Sequence, residues 1–242
     1  MSATAPNETK SAILPVSCLE SFRPVLILTT VAIIALGAAR EVFVDLFGLG
    51  TALKDLRHIS LDGELNIATW YSSTLMLAAS FLALVCSRGD TDLRQRPYWL
   101  LIATAMLLMS IDETASIHES FITLLESWRG HSDYLHFSWV VLGIPATILF
   151  AVVMVPFLFR LERRTALTMI LAGGLFVFGA LVMEMIDGAI QVRLGADSLA
   201  YRAGAAIEDC FELAGMTLFV LVLMKFAARM YSGDSDNRPA TI

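Results

Sequence analysis

The chain has 242 residues, of which 57% are hydrophobic and only 17% are charged, and its mean hydropathy is +0.69. Soluble domains carry about 25% charged residues, so this composition excludes an ordinary soluble protein and indicates one that lies in a lipid bilayer. The net charge of −6 is not evidence for a nucleic-acid partner or for a cationic surface partner, because eight of the 23 acidic residues lie within three apolar segments and do not form a surface field.

Six apolar runs of about 20 residues are long enough to cross the roughly 30 Å of hydrocarbon in a bilayer as helices. The first residues lack the pattern of a signal peptide and predict a cytoplasmic tail at 1–23. We therefore predict an all-α polytopic membrane protein, with a six-helix domain at 24–228 and a second cytoplasmic tail at 229–242. The predicted helices are 24–47, 65–86, 97–128, 137–159, 165–186 and 204–228.

The first helix carries Arg40 and Glu41 in its last third. Arg40 has two open interpretations. Its side chain could extend to the membrane interface, or it could supply a counter-charge to acidic residues on later helices.

The third helix contains SIDETASIHES at 110–120, with the ionisable residues Asp112, Glu113, His118 and Glu119. An ionised carboxylate in hydrocarbon is costly unless it is paired, hydrogen-bonded or bound to a cation. At about 100° per residue, Asp112 and Glu119 share one face of a regular helix and His118 falls on the other side. We therefore expect His118 to meet a different helix, or the helix to be irregular there.

The fourth helix follows a short connection that contains His131 and His136, which are either interfacial residues or ligands covering a site. The fifth helix has small residues that predict a close approach of a neighbouring helix, and the sixth begins with AIEDCFE. The small residues are Gly173, Gly174, Gly179 and Ala180, and the acidic residues of the two helices are Glu184, Asp187, Glu208, Asp209 and Glu212.

The orientation follows from the connections, which carry 11 Lys and Arg residues on one side and six on the other. The excess predicts that both termini lie in the cytoplasm. We also expect the chain to lie in a bacterial-type inner membrane. The acidic residues of the third, fifth and sixth helices then lie roughly 19–33 Å from the cytoplasmic ends of their helices. This common depth predicts one acidic site in the outer half of the bilayer.

Such a site requires compensation, because many carboxylates in a low dielectric cannot all be ionised. Three compensations are open: shared protons, arginines folded over the site, or a divalent metal of the kind that oxygen ligands hold, namely Fe, Mn, Ca, Mg or Zn. The predicted metal ligands are Asp112, Glu119, Glu184, Asp187, Glu208 and Glu212. The predicted acid–base or hydrogen-bonding residues around them are Glu113, His118 and Asp209.

These residues predict a membrane-embedded metal-dependent enzyme, an oxidoreductase or a hydrolase, that acts on a lipid-soluble substrate or one reaching the outer face. A cation or proton transporter or sensor is the first alternative, and an accessory subunit that binds other membrane subunits is the second. The chain lacks the Glu-x-x-His pairs of carboxylate-bridged two-metal bundles. A purely structural network of hydrogen bonds between helices is a further alternative.

Overall fold

The computed structural model describes residues 16–48, 56–61, 63, 65–118, 120 and 139–231. Over these residues the chain is helical without strands, and six helices are long and apolar enough to cross a membrane. The prediction of an all-α, six-helix membrane protein is therefore confirmed. The helices are α1 (Val16–Phe47), α2 (Ile67–Gly89), α3 (Arg96–Ala115), α4 (Val140–Leu158), α5 (Arg163–Leu194) and α6 (Leu199–Tyr231).

The third helix differs most from its prediction. It ends at Ala115 because Ser116 adopts a left-handed conformation with φ 47°, and helical backbone resumes at the next residue. The prediction of one continuous helix over 97–128 is therefore wrong at Ser116. A left-handed residue redirects the chain, so side chains on its two sides no longer follow one helical periodicity.

The middle of the bundle is formed by α2 and α6. α2 packs mainly against α3 and α6, while α6 also contacts α1 and α5. Hydroxyl groups join these helices, since the Thr30 hydroxyl lies 3.0 Å from that of Tyr71 and 2.7 Å from that of Thr217. On α2 and α3 the hydroxyls of Ser73 and Ser110 are 2.9 Å apart. Such bonds hold helices together where hydrophobic burial cannot, because lipid is as apolar as the core.

Contacts at the two ends of α6 define the two ends of the bundle. At the C-terminal end, fully buried Trp99 packs on Phe157 and Phe226, with ring centroids 4.8 and 4.9 Å away. We call this the Trp99 end. At the N-terminal end of α6, Arg202 pairs with Glu41 on α1, and we call this the Arg202 end.

Glycines bring α5 and α6 together. A Cβ built on Gly215 would lie 2.6 Å from the backbone nitrogen of Phe176, and one on Gly179 would lie 2.9 Å from the carbonyl oxygen of Glu208. Gly173 and Gly174 have no such neighbour within 4 Å. The close approach predicted for the fifth helix therefore occurs at Gly179. The other close backbone contact between these helices is made by Gly215, a glycine of α6.

Candidate functional site

Acidic side chains of α5 and α6 approach one another across this glycine contact. The Glu208 side chain lies beside those of Glu184, Asp187 and Glu212, close enough for the carboxyl groups to interact electrostatically. Asp187 is almost fully buried, at 1% exposure, whereas the other three are half-buried. We call Glu184, Asp187, Glu208 and Glu212 the α5–α6 acidic residues.

The backbone before Glu184 sets the direction of its side chain. Residues Phe178–Met183 form a π-helix, which adds about one residue to a helical turn and rotates the following residues by roughly 100°. Gly179 lies in this segment and allows α6 to approach, because a Cβ there would be 2.7 Å from Cγ of Glu212. The faces of Glu184 and Asp187 therefore depend on an irregularity that helical periodicity does not predict.

Trp139, immediately before α4, contacts the same region. Its indole Nε1 donates a hydrogen bond to Oε1 of Glu184 over 3.1 Å. Sequence reasoning missed this residue, although an aromatic residue at the start of a membrane helix, close to the acidic segments in the predicted topology, was an available signal. α4 thus supplies a donor to one of the α5–α6 acidic residues.

Asp112 and His118 form a pair at the end of α3. The backbone N–H of His118 donates to Oδ1 of Asp112 over 2.8 Å, and the imidazole Nδ1 is 3.0 Å from Oδ2. The left-handed Ser116 turns His118 back toward Asp112, so the expected irregularity of the helix is confirmed. The imidazole also lies against Trp139, with ring centroids 5.4 Å apart.

The structure locates two of the other predicted site residues. Glu113 is half-buried in the last turn of α3, and Asp209 is half-buried on α6. Glu119, His131 and His136 lie outside the described residues, so their predicted roles stay predictions.

Arg40 belongs to a different group of charges at the Arg202 end. Its Nη1 donates to Oε1 of Glu41 over 2.5 Å and to Oγ of Ser60 over 3.0 Å. Nε of Arg202 lies 3.5 Å from the other oxygen of Glu41, and Nη2 lies 3.6 Å from Asp45. Neither of the two predicted roles therefore describes Arg40, because it is buried and pairs with Glu41.

The His, Cys, Asp and Glu side chains in the described part of the chain do not form a metal-ligand geometry. No group of three or more of them could hold a metal ion as they stand. A cation at the α5–α6 acidic residues would therefore require their side chains to rotate toward a common centre.

The site residues described above lie in a region that matches one protein family. Residues 25–226 match the family model described as "Domain of unknown function (DUF8692)". The chain belongs to this family. The match includes the Asp112–His118 pair, Trp139 and the α5–α6 acidic residues, so all of them are parts of the DUF8692 domain. No curated protein and no solved structure matches the chain at a significant level.

Proposed function

We propose that this membrane protein binds a divalent cation through the α5–α6 acidic residues, and that the cation serves a metal-dependent enzyme. The observation that carries the proposal is the position of Glu208, whose side chain reaches Glu184 and Asp187 on the facing helix. Like charges this close in a low dielectric repel strongly, and a bound cation removes the repulsion. Carboxylate oxygens are the ligands that Ca²⁺, Mg²⁺ and Mn²⁺ prefer, and they are also found in Fe and Zn sites.

The position of these residues in the bundle supports a cation site that is accessible from one face of the membrane. Asp187 is buried, but Glu184, Glu208 and Glu212 keep part of their surface exposed. Gly204 and Gly179, which pack against Asp187 and Glu212, belong to the half of the bundle near the Arg202 end. With the termini in the cytoplasm, this is the outer half, so the substrate would be lipid-soluble or reach the site from outside.

The chemistry then follows from the metal. A bound divalent cation polarises a substrate oxygen or activates a water molecule, and Fe or Mn can also transfer electrons. The proposed enzyme is therefore either a hydrolase or an oxidoreductase. The Asp112–His118 pair would contribute a proton acceptor beside the metal, because a carboxylate that accepts from Nδ1 orients an imidazole.

Proton or cation transport is the second candidate, and the same contacts favour it. Neighbouring carboxyl groups in a low dielectric share protons, so Glu208 together with Glu184 and Asp187 would hold a proton in place of a metal. Acidic residues of this kind form proton and ion pathways in membrane proteins.

Metal content tests the proposal directly. The full chain is purified in detergent, equilibrated with each of Mn²⁺, Fe²⁺, Ca²⁺, Mg²⁺ and Zn²⁺, and analysed by plasma mass spectrometry. We expect near-stoichiometric retention of at least one metal, with at least a tenfold loss of affinity in Glu208→Gln. Glu20→Gln is the matched control, because Glu20 is exposed at the start of α1.

Retention of no metal by the wild-type protein would reject the proposal. Proton or cation flux in proteoliposomes, lost in Glu208→Gln and kept in Glu20→Gln, would then establish the transport candidate. Equal metal retention by all three proteins would show that the metal binds elsewhere.

A further inference from the structure

We propose that Trp139 is a positioning residue, which joins the Asp112–His118 pair to Glu184 and so makes α3, α4 and α5 contribute to one site. The indole touches both sides, since its N–H donates to Oε1 of Glu184 and its ring lies 5.4 Å from the imidazole of His118. The inference rests on the proposed function only where the bound ion is concerned.

The first step of the argument is the fixed orientation of His118. Asp112 accepts one bond from the backbone N–H and one from the imidazole of the same residue, so rotation of the ring breaks a bond. An imidazole held in this way presents its other nitrogen in a single direction. The indole ring, tilted by 56° to the imidazole, packs against it.

The second step concerns Glu184. A donor at one carboxylate oxygen limits rotation of the whole group, and hydrogen bonds to a charged group are stronger than neutral ones. Because Glu208 reaches the same carboxylate from α6, the direction of Glu184 also affects how the α5–α6 acidic residues meet. A substitution of Trp139 should therefore change the affinity of α5 and α6 for a bound cation.

The third step is the surface that holds the indole. A Cβ built on Gly143 would lie 2.7 Å from Cζ3 of Trp139 and 3.0 Å from Cδ2 of Leu181. The six-membered ring of the indole therefore lies against Gly143 of α4, next to Leu181 of the π-helical segment. Gly143→Ala would displace the ring but keep Trp139 and its N–H donor in the protein, so it separates the position of the indole from its presence.

The first test uses Tb³⁺, a hard cation that favours carboxylates and emits when an adjacent indole is excited. We expect bound Tb³⁺ in the wild-type protein to give indole-sensitised emission. Trp139→Phe should lose most of that emission and bind Tb³⁺ about tenfold more weakly, as measured from retained metal. Gly143→Ala should reduce both quantities. Trp70→Phe is the control, because Trp70 is 67% exposed on α2, and it should keep both.

The second test needs no metal. Imidazole in contact with indole changes indole fluorescence, so His118→Gln should alter the emission of the protein when Trp139 is present. It should have no effect in the Trp139→Phe background. His58→Gln is the control, because His58 lies in the short helical turn Arg57–Ile59 and should leave the emission unchanged in both backgrounds. Circular dichroism checks that each variant is folded.

The outcomes separate the two proposals. If the wild-type protein binds no Tb³⁺ but His118→Gln acts only through Trp139, the cation proposal fails and the link between Trp139 and His118 stands. If Tb³⁺ binds and Trp139→Phe keeps both affinity and sensitised emission, the positioning role is overturned. An equal spectral effect of His118→Gln with and without Trp139 would also overturn it.

Discussion

The carboxylate of Asp187 on α5 lies directly against the backbone of Gly204 on α6, in the space that a side chain at position 204 would fill. A Cβ built on Gly204 would overlap Oδ1 of Asp187, and Asp187 itself is only 1% exposed. This contact determines how closely the two helices approach at their acidic residues. It makes a glycine outside the acidic motifs part of the site.

Gly204→Ala should therefore destabilise the protein, by about 1–3 kcal/mol, because the new methyl group must push Asp187 or the whole helix away. Gly173→Ala is the matched control, since a Cβ there meets nothing within 4 Å and alanine favours helix by up to about 1 kcal/mol. Unfolding titrations with a denaturing detergent in mixed micelles measure both variants. Equal stability of Gly204→Ala and the wild-type protein would contradict the close contact.

The Asp112–His118 pair should behave as one unit. We expect Asp112→Asn and His118→Gln each to reduce the free energy of unfolding, and the double variant to lose less than the sum of the two. The expected coupling is about 0.5–3 kcal/mol, as for residues in direct contact. Additive losses in the same mixed-micelle titration would mean that the hydrogen bond between the imidazole of His118 and Asp112 contributes nothing to stability.

Glu41 should be the most sensitive of the charges at the Arg202 end. It interacts with Arg40 and Arg202, both of which are buried, so Glu41→Gln leaves two buried cations with reduced compensation. Loss of one partner from such a group costs about 3–5 kcal/mol. Asp45→Asn is the control, because the Asp45 side chain is 41% exposed, and it should cost far less. A similar thermal stability of the two variants would argue against a buried ion network.

The ion pair of Glu162 and Arg229 at the Trp99 end gives a pH-dependent contribution to stability. Arg229 donates a hydrogen bond to Glu162 over 2.6 Å and holds the pKa of that carboxyl below its ordinary value. The stabilisation is therefore fully present above the unfolded glutamate pKa of about 4.3 and is lost as the pH falls through the lower folded value. Both side chains are partly exposed, so its size should be below about 1 kcal/mol.

Thermal unfolding of the wild-type protein and Glu162→Gln between pH 3 and pH 7 checks this expectation. The difference between them should be largest at neutral pH and low salt and should vanish in acid. Glu20→Gln controls for the loss of an exposed acidic residue. A difference that grows in acid would contradict the assigned direction.

The sequence by itself determined the membrane class, the six helices and the helices that carry acidic residues. It could do so because hydrocarbon thickness sets the length of an apolar helix, and because charges within such a helix stand out against its composition. It also placed Glu184, Asp187, Glu208 and Glu212 on helices that meet. Composition and helical periodicity describe single stretches of the sequence, and each of these features depends on such a stretch.

Only the tertiary structure decided which side chains touch. The left-handed Ser116 brings His118 to Asp112, and the π-helix before Glu184 turns Glu184 relative to the rest of α5. Both irregularities break the regular helical period from which the face of a residue is predicted. Trp139 and Gly204 enter the site through contacts with partners 45 and 17 residues away in the chain. Such contacts depend on how the helices pack, which no local pattern in the sequence records.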